Sequence, residues 1–427
     1  MSTETNAGCS LLIGDRCYPL PPVSLPAMTR TVFSGARVFD GTGADPSVAD
    51  LVVEDGRIVD VGSGLDGDER VDLDGKALLP GLFDCHTHVT ISTIDELKNI
   101  HTPFSYRFFQ AAENLAATLR IGITTVRDAG GADLGIKQAV CDGLIRGPRL
   151  QVSLGMISQT GGHGDAWTVS DSVVYLLPRH PGVPETMVDG PDEMRRMVRL
   201  LVRMGADVIK VATSGGVLSP RDKPTHAHFR PPELEVLVEE ASAAGIWVMA
   251  HAQAAPGIKN AIRAGIRSIE HGIYLDDEAI DLMLDRGTWL VPTLVAPRGV
   301  LDAADAGASI PEAAIRKAKE VVEIHRDAFR RAVAAGVKVA MGTDSGVTPH
   351  GQNLRELELM VEGGMTPAQA LVATSRSAAE LMGLDDELGT LEPGKRADLV
   401  VVDGDPLDVA TLAERVEAVY QDGARVV

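Results

Sequence analysis

Eight short apolar runs, each closing on or near a polar residue, restrict this chain to few folds more sharply than any other feature of it. The runs end near His88, near Arg127 (Ile123-Thr124-Thr125-Val126-Arg127), near Ser158 after Leu150 to Leu154, and at Lys210 (Val208-Ile209-Lys210). The others end at His251 (from Ile246), at His271 (from Ser268), near Thr293 (from Trp289) and at Asp344 (from Val337). Between them, Asp192 to Met204, Pro231 to Ala244 and Pro311 to Ala335 have helical spacing, and the last two open on a proline suited to a first helical turn. Strand-then-helix units in this number predict an α/β fold, a (β/α)8 TIM barrel over residues 80–385, with chemistry at the C-terminal ends of its strands.

The two ends have a different texture. From Thr31 to Leu79, β-branched runs are broken by turns, and Asp55-Gly56 between alternating apolar residues is a hairpin signal. Gly394 to Asp403 and Val416 to Val427 repeat that texture, so residues 29–79 plus 386–427 are expected to form a small β-sandwich domain. Residues 1–28 precede the first strand-like stretch and are expected to be an N-terminal extension. They lack a basic segment followed by an apolar one, and no run of about 18 apolar residues occurs anywhere, so neither export nor membrane insertion is signalled. Cys9, Cys17, Cys85 and Cys141 have no paired-motif spacing, which fits a reducing cytoplasm. A formal charge of -20 repels phosphate backbones and anionic membranes and points to small molecules as partners, not nucleic acid or lipid.

In such a barrel His86, His88, Lys210, His251, His271 and Asp344 converge on one mouth. In Phe83-Asp84-Cys85-His86-Thr87-His88, residues two apart on a strand face the same way, so both imidazoles reach one side. The pair alone also suits histidines that bind nothing. Four imidazoles and a carboxylate together suit Zn²⁺ or a similar divalent ion. Lys210 admits two readings. It is either an ammonium paired with a carboxylate or, carboxylated by CO₂, an anionic bridge between two cations about 3.5 to 4 Å apart.

This set resembles the amidohydrolase superfamily in its binuclear, carboxylated-lysine form. Ile123 to Asp128, Gly161-Gly162-His163-Gly164-Asp165, Ile209 to Gly216, Glu270-His271-Gly272, Gly342 to Gly346 and His350 to Leu354 make it similar to the prolidase-like and Xaa-Arg dipeptidase branch. The resemblance implies two divalent ions, zinc foremost, and an N6-carboxylated Lys210. His86, His88 and Asp344 would hold the more buried ion, His251 and His271 the more exposed one, with Lys210 and a hydroxide bridging them. It implies hydrolysis of the amide of a dipeptide or N-acyl amino acid by that hydroxide, Asp344 carrying the proton to the leaving amine. His163 is a candidate for substrate contact or carbonyl polarisation, and His228 for the place of a tyrosine that assists the carbonyl in relatives. Arg298 is a candidate partner for a substrate carboxylate, His350 shapes the mouth, and His226, His101, His180 and His325 receive no role. The alternatives are a non-peptide amide, carbamate or urea, including N-aroyl amino acids of the ochratoxin type, and a non-catalytic barrel scaffold. Deamination fits less well, because Ala252-Gln253 follows His251 where mononuclear deaminases place an acid. The expected partner is a small-molecule amide, and such a barrel is expected to form a homo-oligomer.

Overall fold

A computed structural model describes residues 29–427 apart from 172, 174, 175 and 220, so the expected extension over residues 1–28 lies outside the described residues. Strands β1 (Thr31–Val38), β2 (Ser47–Glu54), β3 (Arg57–Gly62), β4 (Glu69–Asp72) and β5 (Lys76–Pro80) come from the N-terminal part. Eight further strands follow: β6 (Leu82–Thr87), β7 (Ile123–Asp128), β8 (Arg149–Val152), β9 (Met156–Ile157), β10 (Val208–Ala212), β11 (Trp247–Ala252), β12 (Ser268–His271) and β13 (Trp289–Val291). β14 (Leu399–Asp403), β15 (Val416–Gln421) and β16 (Ala424–Arg425) close the chain.

Both ends of the described chain enter one sheet, ordered β16-β15-β14-β5-β1-β2-β3 with β4 beside β1. The join is antiparallel pairing of β14 with β5, Leu399 opposite Pro80. The pairing links all eight strands into a single hydrogen-bonded sheet. Asp55 and Gly56 turn the β2–β3 hairpin with φ of 51° and 74°, the left-handed pair that a two-residue turn matching strand twist requires. Phe33, Leu51, Ile58, Leu78, Leu399 and Tyr420 form the buried face, and Phe33 meets Tyr420 edge to face at 5.0 Å.

The middle holds two parallel sheets, β6-β7-β8 and β9-β10-β11-β12-β13. The third apolar run, expected as one strand, splits at Leu154 (φ 66°): β8 pairs with β7, and β9 with β10. The eighth run is not a regular strand. Leu290 donates to the Lys338 carbonyl (2.8 Å), Ala340 to Leu290 (3.0 Å), Cys85 to Met341 (2.9 Å) and Asp344 to His86 (2.7 Å). Val337–Asp344 therefore lies between β13 and β6, irregular because it passes so close to its neighbours. A Cβ on Gly342 would stand 2.4 Å from Val291.

Helices Tyr106–Arg120, Pro191–Arg203, Pro231–Ala243, Ala255–Ala264, Asp277–Arg286 and Glu312–Ala335 alternate with these strands. They bury Leu115, Val198, Leu237, Ile262, Met283 and Phe329 against the sheets in one cluster. Among the described residues no helix is long and apolar enough to cross a membrane.

Glu356, wholly buried in helix Arg355–Glu362, accepts from the amides of Leu294 (2.7 Å) and Val295 (2.8 Å) and so caps the N-terminus of helix Val295–Asp305. Burial raises its carboxyl to about 8 against the pull of those two donors. Glu356→Ala is expected to cost about 1–3 kcal/mol, the penalty of leaving buried donors unpaired, seen as a lower urea midpoint at unchanged m. The folded state holds a proton that the unfolded chain, titrating near 4.5, releases, so this group's stabilisation is lost as pH rises from about 4.5 to about 8. Glu356→Gln should flatten that part of the stability–pH curve.

Candidate metal centre

β6 presents His86 and His88 side by side, and each ring is fixed from behind. His86 Nδ1 donates to Glu270 Oε2 at 2.7 Å, while Glu270 Oε1 takes Arg127 Nη2 (3.0 Å) and the Ser268 hydroxyl (2.5 Å). His88 Nδ1 donates to the Gly130 carbonyl at 2.8 Å. Carboxylate and carbonyl only accept, so the ring protons sit on Nδ1 and both Nε2 atoms are left to coordinate. They face Asp344 Oδ1 at 3.6 Å and 3.2 Å. The candidate ligand atoms of His86, His88 and Asp344 all lie within 4.8 Å of one another, a group that fits a divalent ion.

Asp84, wholly buried two residues upstream, binds β6 to the turn that carries Asp344. Its Oδ1 takes the amides of His86 (3.0 Å) and Thr343 (3.2 Å), and its Oδ2 takes the Thr343 hydroxyl (2.6 Å) and Asn353 Nδ2 (2.8 Å). Burial nonetheless raises the Asp84 carboxyl to about 6. For Asp344 the balance is opposite. Burial pushes its carboxyl up, but the electrostatic pull of the neighbouring His88, His86 and Lys210 holds it well below the usual carboxylate range.

Lys210 on β10 places Nζ 3.3 Å from His86 Nε2, and burial lowers its amine to about 8 against the opposing pull of Glu270 and Asp344. His251, next to last in β11, has Nε2 on the Gly215 carbonyl (3.1 Å), leaving Nδ1. His271 engages the Thr293 hydroxyl through Nδ1 (2.7 Å), leaving Nε2. The His271 ring stands 5.0 Å from that of His86 and 4.6 Å from that of His251, centre to centre. Burial first, then neighbouring cationic groups, keep His86, His251 and His271 well below the usual imidazole range, hence neutral and fit to coordinate. All six predicted residues thus meet in one place.

Residues 77–426 match the family profile described as Amidohydrolase family. The chain belongs to this family. It is 35% identical to ochratoxinase of Aspergillus niger over 94% of this chain and 87% of the relative. Among solved structures, a Xaa-Pro dipeptidase with methionine bound in its active site superposes with a TM-score of 0.85 at 34% identity, covering 93% of this chain and 99% of that one. A prolidase complexed with N-methylphosphonate-L-proline gives 0.85 at 35% identity, with the same coverage. The amidohydrolase neighbours imply a TIM-barrel fold for the alternating strands and helices, and with them the chain is a hydrolase acting on amide bonds. The family is generally metal-dependent, in keeping with the His86, His88 and Asp344 cluster.

The amidohydrolase centre opens on a cavity of about 250 Å³. Ile91, Val217, Leu218, Ile273, Val300 and Val347 give it apolar walls, while Glu96, Asp165, Arg179 and Glu185 add charge. His163 lines it, stacked on His251 with ring centres 4.0 Å apart. His228 is absent from the cavity lining. Its amide donates to the Thr213 carbonyl (2.8 Å), its buried Nδ1 has no partner among the described residues, and burial lowers the ring to about 4. Arg298 is likewise off the wall and lies 3.6 Å from Glu362. His350 supports the mouth through the Ile91 carbonyl (3.1 Å).

Sequence reasoning passed over Glu270, Asp84 and His325, whose Nε2 donates to the His271 carbonyl at 2.8 Å. Glu270 carried a usable signal: a carboxylate immediately before His271, in a short run flanked by Ile266 and Ile269, is a rare charge for a strand bound for the interior. Glu270→Gln should weaken zinc binding by about 10–100-fold in a chelator competition, the usual loss when the partner fixing a ligand histidine is removed.

Proposed function

We propose that this chain hydrolyses the amide bond of a dipeptide or N-acyl amino acid, using two divalent ions, zinc foremost. His86, His88 and Asp344 would hold one ion, His251 and His271 the other, with an N6-carboxylated Lys210 between them. The observation that carries this reading is the convergence of two outward Nε2 atoms on Asp344 Oδ1 beneath the cavity. A buried amine lowered to about 8 has far more of its free-base form at neutral pH than an ordinary lysine, the form that reacts with CO₂. The reading includes a barrel closed through residues 337–344, spanning 80–385, and a sandwich-like terminal domain of residues 29–79 plus 386–427.

When bound, the ions supply a water of lowered pKa and polarise the carbonyl. The protein's own part is positional and acid–base. Asp344, kept ionised, accepts the attacking water's proton and returns it to the leaving nitrogen. His163 on the cavity wall contacts the substrate carbonyl side, and the apolar walls exclude bulk water from the reacting bond. His228, set back from the cavity, would act on the carbonyl only from behind that wall.

A second reading is an N-aroyl amino acid of the ochratoxin type. The apolar walls and the 35% identity to ochratoxinase favour it. The complete ligand set argues against a non-catalytic scaffold. We extend the reading to a cytoplasmic homo-oligomer acting on small molecules. Exposed Leu97 and Ile100 on helix Glu96–His101, Tyr106 and Phe109 on helix Tyr106–Arg120 and Phe104 in the turn between them support self-association.

The test is a screen of the zinc-loaded protein against a dipeptide library, N-benzoyl-L-phenylalanine and simple carbamates. Release of amino acids from dipeptides is expected; silence there with turnover of the aroyl amide would move the protein to the second reading. Lys210→Ala should retain about one zinc instead of two and regain part of its turnover with a short carboxylic acid. Metal content and activity unchanged by that substitution would refute the bridge.

A further inference from the structure

The amidohydrolase centre does not account for a second buried charged network, on the loop after β10. Asp222 is almost fully enclosed, and so is Lys317, which reaches in from helix Glu312–Ala335. Lys317 Nζ stands 3.5 Å from Asp222 Oδ1 and donates to the carbonyls of Gly216 (2.9 Å) and Ser219 (2.6 Å). The Gly216 amide donates to Asp222 Oδ2 at 3.2 Å. Burying an ion pair costs stability unless its geometry is good, so such a pair invites the question of what it holds.

It holds His163. The Ser219 hydroxyl donates to Asp222 Oδ1 in a short contact, and a hydroxyl has one proton to give. Its oxygen therefore accepts from His163 Nδ1, 2.8 Å away, and Asp222 Oδ2 lies 3.6 Å from the same nitrogen. The ring is also gripped by its faces and edges. It stacks on His251 at 4.0 Å and 16°, and it packs so closely on Gly216 that a Cβ there would lie 2.2 Å from His163 Cε1. With Nδ1 committed, Nε2 is the ring nitrogen left for whatever enters the cavity that His163 lines.

We propose that Asp222, acting through the Ser219 hydroxyl and braced by Lys317, is the positioning residue that fixes His163 over the metal centre with Nε2 toward the substrate. What Nε2 meets there rests on the amide-hydrolysis reading; the placement of the ring does not. Asp222 touches no substrate. Its contribution passes wholly through His163.

The decisive experiment is a double-mutant cycle in the zinc-loaded full chain, with glycyl-L-phenylalanine and N-benzoyl-L-phenylalanine as probes. Asp222→Asn and Ser219→Ala should each lower kcat/KM by about 10–100-fold, chiefly in kcat, as loss of a support behind a functional histidine does. In a His163→Gln background the same substitutions should cost under about twofold, because the interaction they serve is already gone. Equal losses in both backgrounds would overturn the proposal. Ser219→Ala keeps the Asp222–Lys317 pair, and it decides alone if Asp222→Asn does not fold. A crystal structure of the zinc-loaded Ser219→Ala protein should show the His163 ring displaced from its stack on His251, and an unmoved ring would overturn the proposal. If neither probe is turned over, the amide reading fails, and that crystal structure still judges the placement of His163.

Discussion

The centre depends on one buried carboxylate. Glu270 binds Arg127 through one oxygen and orients His86 through the other, wholly out of contact with water. An isolated charge at that depth would be strongly unfavourable, and the pair is supported by the bonds of His86 and Ser268 to Glu270 and of Arg127 to the Cys85 carbonyl. Arg127 also donates to the Cys85 carbonyl at 2.7 Å, which ties β7 to the backbone of β6 beside His86. The interior beneath the candidate ligands is thus a hydrogen-bonded frame linking three strands. It sets the ring tautomer on which coordination relies.

A second constraint is backbone conformation at the strand ends. His271, Thr293 and Asp344 all adopt left-handed φ, at 72°, 53° and 61°. Such residues cost about 1–3 kcal/mol each unless the surroundings dictate them. Here they do: Thr293 bonds His271 Nδ1, the His271 carbonyl takes His325, and the Asp344 amide bonds the His86 carbonyl. Each turn breaks the simple in-and-out alternation of a strand. On β12 this lets adjacent residues serve different tasks, Glu270 beneath the centre and His271 within it.

Much of this was legible in the residues themselves. The six candidate ligands close apolar runs in the sequence, and the structure brings all six to one cavity, although β10 continues past Lys210 to Ala212 and Asp344 lies on an irregular stretch. The hairpin at Asp55-Gly56 and the helices starting near Pro191, Pro231 and Pro311 follow from local propensity. The irregular third and eighth runs did not, because Leu154 and Gly342 are shaped by neighbours far away in sequence. The setback of His228 from the cavity is equally a matter of loop packing, which no spacing rule encodes.

What the sequence by itself determined is the alternation of elements, the sheet built from both ends and the chemistry of the ligand set, since these rest on periodicity and on the coordinating character of side chains. Which ring nitrogens of His86 and His88 face Asp344, which carboxylates are raised or lowered by their surroundings, and that Ser219 and Asp222 meet His163 were decided only by the tertiary structure. Tautomer, desolvation and orientation are properties of contacts between residues far apart in the chain, and those contacts exist only once the fold has closed around them.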